Sequence, residues 1–125
     1  LLVDDDICNR ELFDMMLKSG GAEVRLAHSA AEARQILAEF KPDILISDIS
    51  MPGEDGYSLI RKIRELDADH GGNIPAIALT AYAAADDVRR VIVAGFSAHV
   101  AKPVEKATLF QTIAKLVVKP GVRKE

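Results

Sequence analysis

Asp4-Asp5-Asp6, Asp48, Thr80 and Lys102 are the residues of this 125-residue chain whose types could do chemistry together. Each ends or closely follows a short apolar run: Leu1-Leu2-Val3, Ile44-Leu45-Ile46, Pro75 to Leu79, and Ser97 to Ala101. Runs this short suit strands buried on both faces of a parallel sheet. Open α/β sheets place their ligand crevice at the carboxyl ends of such strands. Four strand ends would therefore deliver two or more acids, a hydroxyl and an ammonium to one edge. Several carboxylates in one pocket cannot all ionise cheaply unless a cation compensates them. All-oxygen ligation selects a hard ion, and Mg²⁺ takes one or two carboxylates, waters and a phosphoryl oxygen. A metal-bound acid beside a lysine and a hydroxyl is equipment for phosphoryl transfer, in which cations neutralise the equatorial oxygens while a carboxylate attacks in line. A lone Asp after a strand more often just caps a loop; agreement among four strand ends is what makes this pattern specific.

The elements that must position these groups can be read in order. Leu1–Val3 is a strand, and Asp6 N-caps a helix whose inward positions are Leu12, Phe13, Met16 and Leu17. Ser19-Gly20-Gly21 ends that helix. Val24 and Leu26 alternate in an edge strand from Glu23 to Ala27. Ser29-Ala-Ala-Glu32 is a capping box opening a helix with Ala33, Ile36, Leu37 and Phe40 inward. After Asp48, the turn residues Met51-Pro52-Gly53 and Asp55-Gly56 lead to a helix from about Gly56 to Leu66. It buries Leu59, Ile60, Ile63 and Leu66 and leaves Arg61, Lys62 and Arg64 outside. Pro75 to Thr80 is the fourth strand. A helix follows with Asp86 and Asp87 in its first turn, Val88, Val91 and Ile92 as core positions, and Gly95 at its end. Ser97 to Ala101, carrying His99, is the fifth strand, and a last helix from about Glu105 to Val118 buries Leu109, Ile113, Leu116 and Val117. Five alternations with short connections predict a doubly wound (βα)5 sandwich around a parallel sheet.

Composition narrows the field. The length suits one domain with a real core. A formal net charge of −3 argues against a nucleic-acid surface. No apolar run approaches the ~18 residues of a membrane span, and no signal peptide is present. The single cysteine, Cys8, cannot form an internal disulfide and reads as a small buried hydrophobe of a reducing, cytoplasmic compartment. A first strand that reaches acids at once, without an initiator Met, suggests a domain at 1–118 cut from a longer protein. Residues 119–125, Lys119 to Glu125, read as a linker.

Over essentially its whole length the pattern resembles the response-regulator receiver domain of two-component signalling. The matching residues are Asp4-Asp5, Asp48 with Met51-Pro52…Asp55-Gly56, Thr80-Ala81 and Lys102-Pro103. The resemblance implies a flavodoxin-like sheet of order 2-1-3-4-5. It implies that Asp48 is the phosphoacceptor, taking a phosphoryl group from the phosphohistidine of a histidine kinase or histidine phosphotransfer domain. Asp5, Asp48 and the main-chain carbonyl of Ser50 would ligate Mg²⁺, with Asp4 helping directly or through water. Lys102 would pair with Asp48 before reaction and with the phosphoryl group after it, and Thr80 would swing to hydrogen-bond that group. The Lys102–Pro103 bond would be cis. Partners would dock on the face made by the fourth helix, the fifth strand and the last helix.

His99 departs from the family pattern, which commonly has Tyr or Phe there coupled to Thr80; it reads first as a half-buried ring on the last strand and second as a modified form of that switch. Ser50 and Tyr82 flank the site where the family tunes hydrolysis of the acyl phosphate. His28 and His70 read as surface residues. The alternative function is a degenerate receiver acting as a phosphorylation-independent interaction module; the complete set of Asp5, Asp48, Thr80 and Lys102 speaks against it. A haloacid-dehalogenase-type phosphatase would need an acid at Ser50, and that reading fails. The run Ala78-Leu-Thr-Ala-Tyr82…Lys102-Pro-Val104 leans toward the receiver of a hybrid sensor kinase, which would make a fused kinase or output domain a further partner, over an isolated regulator. On this reading the domain is not a free-standing enzyme, and binds neither nucleic acid nor membrane.

Overall fold

The computed structural model describes residues 1–49, 51, 53–67, 71–81 and 85–117. Strands and helices alternate: β1 (Leu2–Val3), α1 (Ile7–Ser19), β2 (Leu26–Ala27), α2 (Ala30–Glu39), β3 (Leu45–Asp48), α3 (Gly56–Arg64), β4 (Ala76–Thr80), α4 (Ala85–Ala94), β5 (Ala98–Ala101) and α5 (Lys106–Leu116). All ladders are parallel, in the order β2-β1-β3-β4-β5. The expected flavodoxin-like sandwich is the fold found.

Side chains alternate across the sheet with the period of two that a strand imposes. Leu2, Ile46, Ile77, Leu79 and Val100 pack with Phe13 and Leu17 of α1 and Leu109 of α5. Val3, Leu45, Ala76 and Ala78 pack with Ala33, Leu37, Leu59, Ile60, Ile63 and Val91 of α2, α3 and α4. The strand order puts β3 at the centre of the sheet between β1 and β4, and every residue of these three strands is buried. Each fully buried Leu or Ile contributes about 1.5–3 kcal/mol, so these strands are where most of the site's rigidity originates.

Three helices begin on side-chain caps. Asp6 Oδ1 accepts from the N–H groups of Cys8 and Asn9, Ser29 Oγ from Glu32, and Asp55 Oδ1 from Ser58. Each is worth about 1 kcal/mol. The capping box at Ser29 is shifted: the Glu32 carboxylate reaches back to the His28 N–H at 2.7 Å. That bond holds its carboxyl below the usual range.

Several expectations are corrected. Cys8 is exposed, and Leu12 is 56 % exposed, because Phe13 and Leu17 set the inner face of α1. Ile92 is 46 % exposed beside a fully buried Val91, since neighbours one apart on a helix cannot share a face. α3 stops at Arg64 with Glu65 as its cap, so Leu66 falls outside the helix and is largely exposed. Arg64 is no solvent-face residue; it is half-buried, donating to the carbonyls of Gly95 and Gly72, and desolvation lowers its pKa. β2 keeps only two residues, because its one neighbour, β1, is equally short; before it only Arg25 joins, through its carbonyl. Among the described residues of α5 Leu109 alone is buried, while Ile113, Leu116 and Val117 are half-buried, the first two packing against the core of Leu2, Ile46 and Leu109. His28 is exposed, as expected. Ser50, Pro52, His70, Tyr82 and the 119–125 tail lie outside the described residues, as do the side chains of Asp86 and Asp87.

Gly56 is where the fold presses hardest on the strand that carries Asp48. Its N–H donates to the Ile49 carbonyl at 2.9 Å, and a Cβ there would lie 2.6 Å from the Asp48 carbonyl oxygen. That neighbour is backbone and cannot yield cheaply. Gly56→Ala should cost about 1–3 kcal/mol in urea unfolding; an unchanged midpoint would show that α3 shifts freely.

Candidate functional site

Three acids meet at the carboxyl edge of the sheet. Asp48 ends β3 and is 6 % exposed; Asp4 follows β1 and is fully buried; Asp5, next to it, is exposed. One carboxylate oxygen from each lies within 4.8 Å of the others. Asp4 Oδ1 accepts from the Asp6 N–H at 2.9 Å, while its buried Oδ2 has no hydrogen-bond partner among the described residues. Burial raises the Asp4 pKa; the Asp6 hydrogen bond and the Lys102 cation counter this, and the Asp48 and Asp5 charges add to it.

The cation comes from the other side of the sheet. Lys102 Nζ stands 3.2 Å from Asp48 Oδ2. Its backbone is set by a bond from its own N–H to the Thr80 carbonyl at 2.7 Å, and the Lys102–Pro103 peptide is cis, as the resemblance implied. Thr80 is 6 % exposed at the end of β4, paired in register with Ala101. His99 is half-buried and pairs in register with Ala78, two residues before Thr80. Asp4, Asp5, Asp48, Thr80 and Lys102 thus come to one edge from four strand ends, as expected. Ser50, the remaining predicted ligand, lies outside the described residues.

The donor set is suited to a hard divalent cation. It is all oxygen, crowded with like charge, and contains a buried carboxylate oxygen lacking a partner, which are the conditions that Mg²⁺ relieves. A cavity of about 590 Å³ opens elsewhere, among Leu37, Pro42, Asp43, Leu66, Ile74 and Pro75 at the amino ends of β3 and β4. Asp4, Asp5, Asp48, Thr80 and Lys102 are not among its lining.

Two supports were not foreseen. Arg10, on α1, donates from Nη1 to the Asp4 carbonyl at 2.8 Å. Glu54, in the loop after Asp48, is salt-bridged to Arg34 of α2 and Lys62 of α3. Burial alone would raise its carboxyl, but those two cations hold it below the usual range. The sequence signal for Arg10 was its spacing, one helical turn after the Asp6 cap; Glu54 offered only an acid inside a turn.

Comparison with known proteins agrees with this geometry. The model of the response regulator receiver domain matches residues 1–114. An uncharacterised 14.6 kDa protein of Leptolyngbya boryana is 42% identical over 113 residues, covering 90% of this chain and 85% of that protein. The sensor histidine kinase RcsC of Salmonella typhimurium is 36% identical over 114 residues. The alignment covers 91% of this chain but only 12% of that kinase. Among solved structures, the receiver domain of the sensor histidine kinase PA1611 from Pseudomonas aeruginosa, with a magnesium ion coordinated in its active-site cleft, superposes with a TM-score of 0.84 at 32% identity. That likeness covers 93% of each chain. A buried acid–lysine pair, two further acids and a strand-end threonine on a 2-1-3-4-5 sheet thus accompany a match over nearly the whole length, and the chain belongs to the response regulator receiver domain family.

Proposed function

We propose that this receiver accepts a phosphoryl group on Asp48 from a phosphohistidine of a histidine kinase or histidine phosphotransfer domain. The observation that carries this reading is the Asp48–Lys102 pair at 3.2 Å beside two more carboxylates. A carboxylate oxygen of Asp48 attacks phosphorus, the P–N bond to the donor imidazole breaks, and the ring nitrogen takes up a proton as it leaves. Asp5, Asp48 and the Ser50 carbonyl would hold Mg²⁺, with Asp4 helping directly or through water, and the ion would supply charge neutralisation at the phosphoryl oxygens. Lys102 moves its charge from the Asp48 carboxylate to the new phosphoryl group. Thr80 turns to donate its hydroxyl to the same group and so reports its presence.

His99, half-buried on β5, follows Thr80 in place of a larger ring, and the α4–β5–α5 face changes with it. Val93 and Ile92 of α4 are exposed on the protein surface and suit that role. The donor approaches over α1. Ile7, Leu12 and Met15 are all more than half exposed there, starting two residues from Asp5, and docking would bury them. The receiver spans 1–118, with 119–125 as a linker, as a cytoplasmic part of a hybrid sensor protein. Among the described residues no helix is long and apolar enough to cross a membrane.

Three outcomes test this. Intact-mass spectrometry after acetyl phosphate and Mg²⁺ should show one added phosphoryl group, lost in Asp48→Asn and in the presence of EDTA; an adduct on Asp48→Asn would sink the assignment. Asp4→Asn removes a buried like charge, so it should raise the melting temperature in EDTA while shrinking the further rise that Mg²⁺ gives. Equal Mg²⁺ responses would remove Asp4 from the site. Met15→Asp should slow transfer from a phosphorylated histidine-phosphotransfer protein about tenfold yet leave acetyl phosphate labelling unchanged. Loss of both reactions together would instead mean a damaged fold.

A further inference from the structure

Asp4 is held at every polar atom but one. Its N–H donates to the Ala27 carbonyl at 3.1 Å, its Oδ1 accepts from the Asp6 N–H at 2.9 Å, and its carbonyl accepts from Arg10 Nη1 at 2.8 Å. Among the described residues, the buried Oδ2 alone is left without a hydrogen-bond partner. Of the three holds, two come from main chain that the sheet and the helix cap already fix. The third is a side chain reaching back from α1. Arg10 is half-buried, and its own N–H bonds to the Asp6 carbonyl at 2.9 Å, so the guanidinium starts from a fixed point.

The guanidinium meets the carbonyl of Asp4 and makes no hydrogen bond to its carboxylate. Charges acting on that carboxylate come from Asp48, Lys102 and Asp5. The Asp4 carbonyl and the Asp5 nitrogen belong to one rigid peptide plane. Orienting that carbonyl therefore fixes where the Asp5 nitrogen and Cα lie, and with them the point from which its side chain departs. We propose that Arg10 is a positioning residue for the divalent-cation site, fixing the Asp4–Asp5 peptide so that both carboxylates face Asp48. This inference rests on the reading that Asp4, Asp5 and Asp48 hold Mg²⁺.

The test is calorimetric titration with Mg²⁺ of the wild type, Arg10→Met, Arg10→Lys and Asp5→Asn. Loss of an outer partner typically weakens metal binding 10–100-fold. Arg10→Met, which keeps an apolar stem, should raise the Mg²⁺ dissociation constant about tenfold, and Arg10→Lys should recover part of that loss. At saturating Mg²⁺ the acetyl phosphate rate of Arg10→Met should return to the wild-type value. A lower melting temperature in EDTA with a Mg²⁺ constant within about twofold of wild type would overturn the inference, leaving Arg10 as a mere anchor of α1. Should Arg10→Met fail to fold, Arg10→Lys alone decides, by the same twofold limit. If the wild type and Asp5→Asn bind Mg²⁺ equally well, the metal-site reading itself falls and takes this inference with it; normal wild-type binding with unaffected Arg10 variants removes the inference alone.

Discussion

Like charges are gathered at one edge of this sheet, and the rest of the structure makes that bearable. Asp4 and Asp48 are both buried, with carboxylate oxygens within 4.8 Å of each other. Two unit charges at that separation repel by on the order of 3 kcal/mol at an effective dielectric of about 20. That rivals the gain from burying a large apolar side chain. Lys102 offsets part of it through Asp48, and the Asp6 N–H offsets part through Asp4. What remains is stored in the protein as a preference for a cation or for a proton on Asp4, whose pKa burial raises first of all.

Such an arrangement needs a stiff frame, and α2 supplies more of it than its distance from the acids suggests. Arg34 holds Glu54, and with it the loop that leaves Asp48. Arg10 of α1 grips the loop that leaves β1 by donating to the Asp4 carbonyl. The two acidic loops are thus braced by one long cationic side chain each, from α1 and from α2. Gly56 adds a contact from α3, where only the missing side chain lets the helix approach the Asp48 carbonyl.

How much of this could be read beforehand follows from the kind of contact involved. Asp4, Asp5, Asp48, Thr80 and Lys102 were legible because a parallel sheet converts "first polar residue after an apolar run" into a place on one edge. The helix caps at Asp6, Ser29 and Asp55 are likewise local in sequence. The inner face of α1 was legible in part: Phe13, Met16 and Leu17 face the core as expected, but apolar Ile7, Cys8, Leu12 and Met15 lie on other sides, so periodicity misplaced Leu12 and Cys8. Only packing on β1 and β3 selects Phe13 and Leu17. The Arg10 and Glu54 contacts depend on long side chains reaching between separate elements; the spacing of Arg10 from the Asp6 cap gives its place on α1 but not that reach.

The two signs of charge at the site are carried by parts of the sheet with unequal support. Asp48 stands on a central strand flanked by β1 and β4, whereas Lys102 extends from β5, an edge strand with a single neighbour. Edge elements open locally at lower free energy than central ones. A brief fraying of β5 would carry off the ammonium while the acids stayed assembled. The position of the ammonium against the acids therefore follows the integrity of one strand pair, the four-residue ladder between β4 and β5.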